Sequence, residues 1–321
     1  MSRILSLASV LLAWAIITSG AGERIAVQTP LGREMEFVAR SFEPGEIILV
    51  RLTNPAGAKK ASIRFLGQNF ELRTKEGEGE PFAFIGLDLG IRPGNHEIEI
   101  SFLGEDGRVE NQSREILVGK REFPVKKLWV KEEFVTPPPE MEERIRWEAE
   151  LLETIYGRRT ERWLGDGDFI LPLDGKMAQN FGERRVYNNI PRSVHAGIDI
   201  SAPFGKEVRA SNSGISVLAT DLYFSGLTVI LDHGLGLFSY YCHFSELRVK
   251  RGTQVRKGEV IGLVGSTGRS TGPHLHWSVK VFQSRVDPLS LLSFSFPEEP
   301  VKEILPRRPS IRLSSAFDFF R

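Results

Sequence analysis

The 321-residue sequence predicts a mainly β protein: a small sandwich-like N-terminal domain, one connector helix and a C-terminal antiparallel β domain. Three observations predict this. Short runs rich in Ile, Val and Phe recur in both halves, each bounded by Gly, Pro or Asn turn signals. Helical periodicity is confined to one stretch near residues 140–156. Hydrophobic residues make up 41% of the chain and charged residues 26%, so both halves can bury a core.

Residues 1–22 are expected to be a secretory signal peptide. Arg3 gives a positive start, 4–17 is apolar apart from Ser6 and Ser9, and Ser19-Gly20-Ala21 offers small residues for cleavage. The apolar run is short of the ~20 residues that a membrane span needs. An uncleaved anchor is the lesser reading, and no other stretch could span a bilayer. The protein is therefore expected to be exported to the periplasm or cell envelope. Cys242 is the only cysteine, which rules out a disulfide within the chain.

Residues 23–120 carry the sandwich pattern. The runs EIILVRL (46–52), ASIRFLG (61–67), FAFIGLDLG (82–90) and HEIEISFLG (96–104) alternate with turns at Asn54-Pro55, Pro93-Gly94 and Asp106-Gly107. His96 opens the last run and reads as a surface strand residue. Residues 121–165 hold a further strand or linker and the connector helix. TPPP (136–139) breaks the chain, and a helix follows from about Glu140 to Tyr156. Met141, Ile145, Leu152 and Ile155 fall on one face, acids crowd the first turn, and Gly157 is placed for a C-cap.

Residues 166–296 return to β with more glycine. EVRASNSGISVLAT (207–220), LTVILDHG (227–234), LGLFSYYCHF (235–244), TQVRKGEVIGLVG (253–265) and HLHWSVKVF (274–282) read as successive antiparallel strands. Residues 297–321 are rich in proline and charge and read as a flexible tail. Lys and Arg total 42 against 41 Asp and Glu, a net charge of +1, so there is no electrostatic case for a nucleic-acid partner. The sequence leaves the oligomeric state open.

Five of the six histidines fall in the last domain. His274 and His276 stand at i and i+2, which on a strand puts both rings on one face with Cα atoms about 6.5 to 7 Å apart. Upstream, His195 and Asp199 lie on a loop running into a strand. Two imidazoles and one carboxylate form a zinc ligand set when a fourth position is left to water. A closed structural zinc site would use several cysteines, and Cys242 stands alone. H-x-H and H-x-x-x-D are each weak signals. They gain weight with YYCHF (240–244), which places His243 on another strand.

At these residues the sequence resembles the lysostaphin/LytM-type zinc metallopeptidases, which hydrolyse peptidoglycan. HAGIDI, YCHFS and GSTGRSTGPHLHW resemble the family's H-x-G-x-D, Y-x-H-x-S and G-x-T-G-x-S-x-G-P-H-L-H motifs, in the family's order. FGERR (181–185) resembles its F-G-x-R entry, and DHGLG (232–236) its H-G-x-G turn. The resemblance runs from Phe169 to Phe294. It implies that His195, Asp199 and His276 bind Zn2+ and that His243 and His274 flank the substrate as the catalytic pair. Which of the two acts as base and which steadies the oxyanion stays open. Two departures, Cys242 and Trp277-Ser278, touch no implied ligand and bear on packing.

Tyr241 and Arg184 are weaker candidates for substrate contact. A packed strand aromatic and an exposed arginine are the bland readings of them. His233 reads as a structural hydrogen-bonding residue. Cys242 alternates with His243 along its strand, so it is expected to face away from the metal. The function expected is an exported zinc endopeptidase acting on peptidoglycan cross-links or stem peptides. The rival is a non-catalytic, metallopeptidase-like regulator of another wall hydrolase. A third reading has the N-terminal domain or the connector covering the groove, with a fourth metal ligand supplied from there.

Overall fold

The computed structural model describes residues 16–19, 22–75 and 78–296. The tail 297–321 lies outside the described residues. So does the expected signal peptide, except for its strand Ile16–Ser19, which pairs antiparallel with Gly22–Gln28. The fold is mainly β with one α-helix among the described residues. No described helix is long and apolar enough to cross a membrane.

The N-terminal region holds two antiparallel sheets, one of six strands and one of four. Alternation builds the core between them. Glu34–Ala39 buries Met35, Phe37 and Ala39, and Gly94–Gly104 buries Ile98, Ile100 and Phe102. The strand Ile47–Asn54 breaks this rule, because its Ile47, Ile48, Leu49 and Val50 are all buried. A continuous apolar run is the mark of a strand covered on both faces. The second cover is the C-terminal domain.

Register fixes which residues meet that cover. Ile47, Leu49 and Arg51 pair with Gly86, Phe84 and Phe82, and paired residues share a face. On that face Phe82 and Phe84 meet Trp163 with ring centroids 5.6 and 5.4 Å apart, and Phe296 stacks on Trp163 at 5.7 Å. Gly86 is required by close approach, since a Cβ there would stand 2.6 Å from Ser284 Cβ. Beside this contact Glu46 and Asp287, both buried, are paired with Arg40 and Arg121. Burying the two carboxylates is tolerable because each is paired with both half-buried arginines. Residues of both halves therefore belong to one hydrophobic core.

The helix spans Pro139–Tyr156, with Pro139 at its first position and acids in its first turn. Leu151, Leu152, Ile155 and Tyr156 pack on Leu218, Leu222, Ile230 and Phe238 of the C-terminal sheet. Gly157 closes it at φ −76° rather than in the left-handed region, so its capping is done by an N–H bond to the Glu153 carbonyl. The strand before the helix, Val125–Leu128, pairs parallel with Arg184–Tyr187, and that strand forms a hairpin with Ile190–Val194. A parallel pair between distant segments leaves no turn signal, which is why the sequence pattern did not place it.

Ten strands make the main C-terminal sheet, seven along its path and three, Val260–Val264, Glu207–Arg209 and Ser284–Val286, joined off it. The run 207–220 is two strands, Glu207–Arg209 and Gly214–Leu222, and the run 253–265 is also two, Gln254–Val255 and Val260–Val264. Buried Ser211 and Asn212 at the first break bond to Tyr241 and Gly167 instead of a ladder.

Candidate metal centre and groove

Strand register sets the centre. Asp199 on Gly197–Ser201 lies opposite His276 on His274–Val281, and Cys242 on Leu237–Leu247 lies opposite His276 from the other side. Alternation buries Leu275, Trp277 and Val279 in the core and puts His274, His276 and Ser278 on the other face. Gly197 makes room for the ring. A Cβ there would stand 2.8 Å from His276 Cε1 and 2.5 Å from the Trp277 carbonyl oxygen.

His195 reaches in from the loop before Gly197. Its N–H donates to the Glu183 carbonyl and its carbonyl accepts from Gly182 N–H, at 2.8 and 2.7 Å. Its ring Nδ1–H donates to the Asn180 carbonyl at 2.9 Å, so a neutral ring presents the Nε2 lone pair. That Nε2 lies 2.8 Å from His276 Nδ1 and 3.0 Å from Asp199 Oδ1, and His276 Nδ1 lies 3.0 Å from the same oxygen. Three ligand atoms thus close a triangle whose edges suit one ion at about 2.0 to 2.2 Å from each. The donor set fits a cation for a second reason. Two lone-pair atoms this close repel unless positive charge sits between them. No fourth His, Cys, Asp or Glu joins the triplet among the described residues.

The neighbouring groups hold the ligands in their binding forms. Burial alone would raise the Asp199 carboxyl, but its contacts with His195 and His276 outweigh this and hold it well below the usual carboxylate range. Burial pushes His276 down to about 4, against the opposing pull of Asp199. Asp199 Oδ2 accepts from Arg185 Nη2 at 2.7 Å and from Asn180 Nδ2 at 2.9 Å, and Asn180 Oδ1 accepts the Asp199 N–H. These outer bonds fix which oxygen faces the histidines.

His243 and His274 stand beside the triplet, their ring centroids 4.7 Å apart. Each donates Nδ1–H to a backbone carbonyl, His243 to Thr267 and His274 to Gly272, both at 2.8 Å. Each neutral ring therefore offers Nε2 as a base, and His274 Nε2 lies 3.8 Å from Asp199 Oδ1. Burial, then the nearby His274 and His276, pushes His243 down to about 3. A cavity of about 520 Å³ opens over His195, His243 and His276, walled on one side by Leu152 and Tyr156 of the helix. No residue of 23–120 lines it.

Three readings of the sequence are corrected here. Cys242 does not face away from the metal. His243 has φ +66°, so strand alternation breaks at that residue and Tyr240, Cys242 and His243 all line the cavity. With Ser278 also in the lining, Cys242 and Ser278 face the groove, while Trp277 packs in the core as expected. Tyr241 is fully buried on the opposite face, its hydroxyl bonded to Ser211 and Ser239, so it is a core residue. Arg184 is exposed, and its neighbour Arg185 is the arginine at the site. Alternation held the clue, since Arg185 shares a face with the apolar-sided Tyr187. Asn180 carried no signal, being a lone polar residue before a glycine turn. His233 is wholly buried, with Nδ1–H on the Ser213 carbonyl and Nε2 on Ser239 Oγ.

The His/Asp/His triplet on an antiparallel sheet, with two further imidazoles beside it, has the donor set of a metal site. Residues 193–288 match Peptidase family M23, and the chain carries that metallopeptidase domain. Peptidoglycan DD-endopeptidase ShyA of Vibrio cholerae is 32% identical over 146 residues, 44% of this chain and 34% of that protein. DD-carboxypeptidase/endopeptidase Mpg of Neisseria meningitidis is 44% identical over 98 residues, 30% of this chain and 23% of that protein. The matches thus span about a third or less of these curated relatives. A solved structure from Pseudomonas aeruginosa, described as a peptidase M23, aligns with a TM-score of 0.60 at 29% identity, covering 78% of this chain and 95% of that one. That likeness reaches well beyond the M23 domain.

Proposed function

We propose that the protein is an exported, zinc-dependent endopeptidase that cuts peptide bonds in peptidoglycan cross-links or stem peptides. The observation that carries this reading is the convergence of His195 Nε2, Asp199 Oδ1 and His276 Nδ1 on one point, with His243 and His274 beside it. The names of the relatives supply the substrate: both are peptidases of the DD type, and one is named for peptidoglycan. The apolar segment 4–17 supports export.

His195, Asp199 and His276 would hold the zinc ion, whose nitrogen and oxygen donors suit it. When bound, zinc supplies Lewis acidity, polarising a peptide carbonyl and bringing the pKa of a water to about 7. His243 and His274 do the proton work. Their Nδ1–H bonds fix both rings, His243 lining the groove and His274 with Nε2 3.8 Å from Asp199 Oδ1, and one imidazole would take a proton from the attacking water and a proton would be returned to the leaving amine.

The regulator reading gains no support, since all five implied positions are filled. The test is digestion of purified peptidoglycan together with bound-metal analysis, for the wild type and His276→Ala. Zinc near one per chain and release of shortened peptides are expected of the wild type, with both lost in the variant. Digestion that survives complete metal removal would overturn the reading.

A further inference from the structure

Arg269 stands on the loop between Val264 and His274 and lies over two aromatic rings, where Lys280 lies over one and Arg185 is paired with carboxylates. The Arg269 guanidinium carbon lies 4.5 Å from the Tyr187 ring centroid and 4.8 Å from that of Phe224. Its N–H donates to the Phe224 carbonyl at 2.8 Å. Two residues earlier, the Thr267 carbonyl accepts from His243 and its Oγ1 accepts the Leu227 N–H. The loop is therefore tied both to the His243 ring and to the turn around Phe224 and Leu227.

Two rings hold the plane of this guanidinium, yet no carboxylate or carbonyl among the described residues accepts a bond from it. Arg185 shows the contrast. It bonds Asp199 at 2.7 Å and has Glu183 at 3.7 Å, so its charge is answered. Lys280 also lines the cavity, with its ammonium over the Tyr156 ring at 4.3 Å. The lining thus carries three cations, Arg185, Arg269 and Lys280, against one acid, the exposed Glu153. A half-buried guanidinium gives up hydration and recovers none of it through protein acceptors. Its planar fork of donors matches a carboxylate in two parallel hydrogen bonds.

We infer that Arg269 is a carboxylate receptor in the groove, selecting peptides that carry a free carboxylate close to the bond being cut. The inference rests on the peptidase reading for its substrate. The closeness follows from the cavity of about 520 Å³, which holds Arg269, His195 and His276 together and so spans only a few residues of peptide. Two carboxylates of a wall peptide share this chemistry: the chain-terminal one and the one on a diamino-acid side chain.

The experiment uses the full-length zinc-loaded protein and three versions of one synthetic cross-linked peptide: both carboxylates free, the terminal one amidated, and the diamino-acid one amidated. The wild type is expected to prefer the free acid over one amide by about tenfold to a hundredfold in kcat/KM, the range of a charged hydrogen bond. The arm that shows the loss identifies the carboxylate. Arg269→Met is expected to bring that ratio near unity, and Arg269→Lys to restore it in part. Binding of the same peptides to the metal-free protein is measured by calorimetry. Acid-dependent binding that vanishes in Arg269→Met supports the receptor even if no bond is cut, which separates it from the peptidase reading. An acid-to-amide ratio unchanged in Arg269→Met, or a wild type indifferent to both amidations in turnover and binding, overturns the inference. Equal bound zinc and equal circular dichroism spectra exclude misfolding, and Arg269→Gln replaces Arg269→Met if they differ.

Discussion

Arg185 Nη2 lies 2.7 Å from Asp199 Oδ2, the carboxylate oxygen that neither histidine touches. The bond turns Oδ1 toward the metal point and offsets the negative charge behind it. Outer bonds of this kind are worth about 10- to 100-fold in metal affinity. Arg185→Met is therefore expected to weaken zinc binding by about that factor, read by competition with a chromophoric chelator. Arg184→Met, one residue away and exposed, is expected to leave it unchanged. Equal affinity in the two variants would show that Arg185 is not holding the ligand.

Tyr241 and His243 are two residues apart and serve different ends. Tyr241→Phe removes a hydroxyl that accepts the buried Ser211 N–H at 2.9 Å, so it is expected to cost about 1 to 3 kcal/mol in stability. Its peptidoglycan turnover per folded molecule should match the wild type. His243→Ala should instead keep the fold and the bound metal while lowering kcat by about 10²- to 10⁴-fold. Denaturant melts and turnover of the two variants check the division. Lost turnover without lost stability in Tyr241→Phe would return that residue to the site.

Local periodicity explains what the sequence revealed. Alternation puts His274 and His276 on one strand face, but it does not say which of them joins the upstream His195 and Asp199; only the resemblance to the family's motifs singled out His276. The helix was legible because Leu152 and Ile155 repeat at helical spacing. The misplaced residues depend on backbone angles or distant contacts. Only the φ of +66° at His243 turns Cys242 and His243 to one side. Arg185 and Asn180 are polar residues whose partner lies 14 and 19 positions away. The IILV run is unbroken because its strand is covered on both faces, and nothing local named the C-terminal domain as its cover.

Burial of His233 makes stability depend on pH. The ring is wholly buried and bonded in its neutral form, and burial pushes it down to about 4 from an ordinary 6.5. The unfolded chain takes up the proton first, so stability is complete above about 6.5 and falls as pH drops toward 4. The loss amounts to about 3 kcal/mol over that window. Nearby Asp232 works in the opposite sense, because burial raises its carboxyl. Comparing denaturation midpoints of wild type and His233→Gln at pH 7.5, 5.5 and 4.5 isolates the histidine. The variant should be less stable at pH 7.5 and lose less on acidification; parallel curves would refute this account.

Phe84 decides how the two halves depend on each other. It is fully buried, and it meets Trp163 at 5.4 Å and Phe296 at 6.0 Å across the joint. A phenylalanine in such a place costs about 3 to 5 kcal/mol when cut to alanine. If the N-terminal sheet props the catalytic domain, Phe84→Ala should lower the melting temperature of the whole chain, and the wild type should melt in one calorimetric transition. The same variant tests latency. Residues 23–120 line none of the cavity, so loosening the joint uncovers no substrate path. Turnover per folded molecule should stay level or fall, and a several-fold rise in Phe84→Ala would show instead that the N-terminal domain restrains the enzyme.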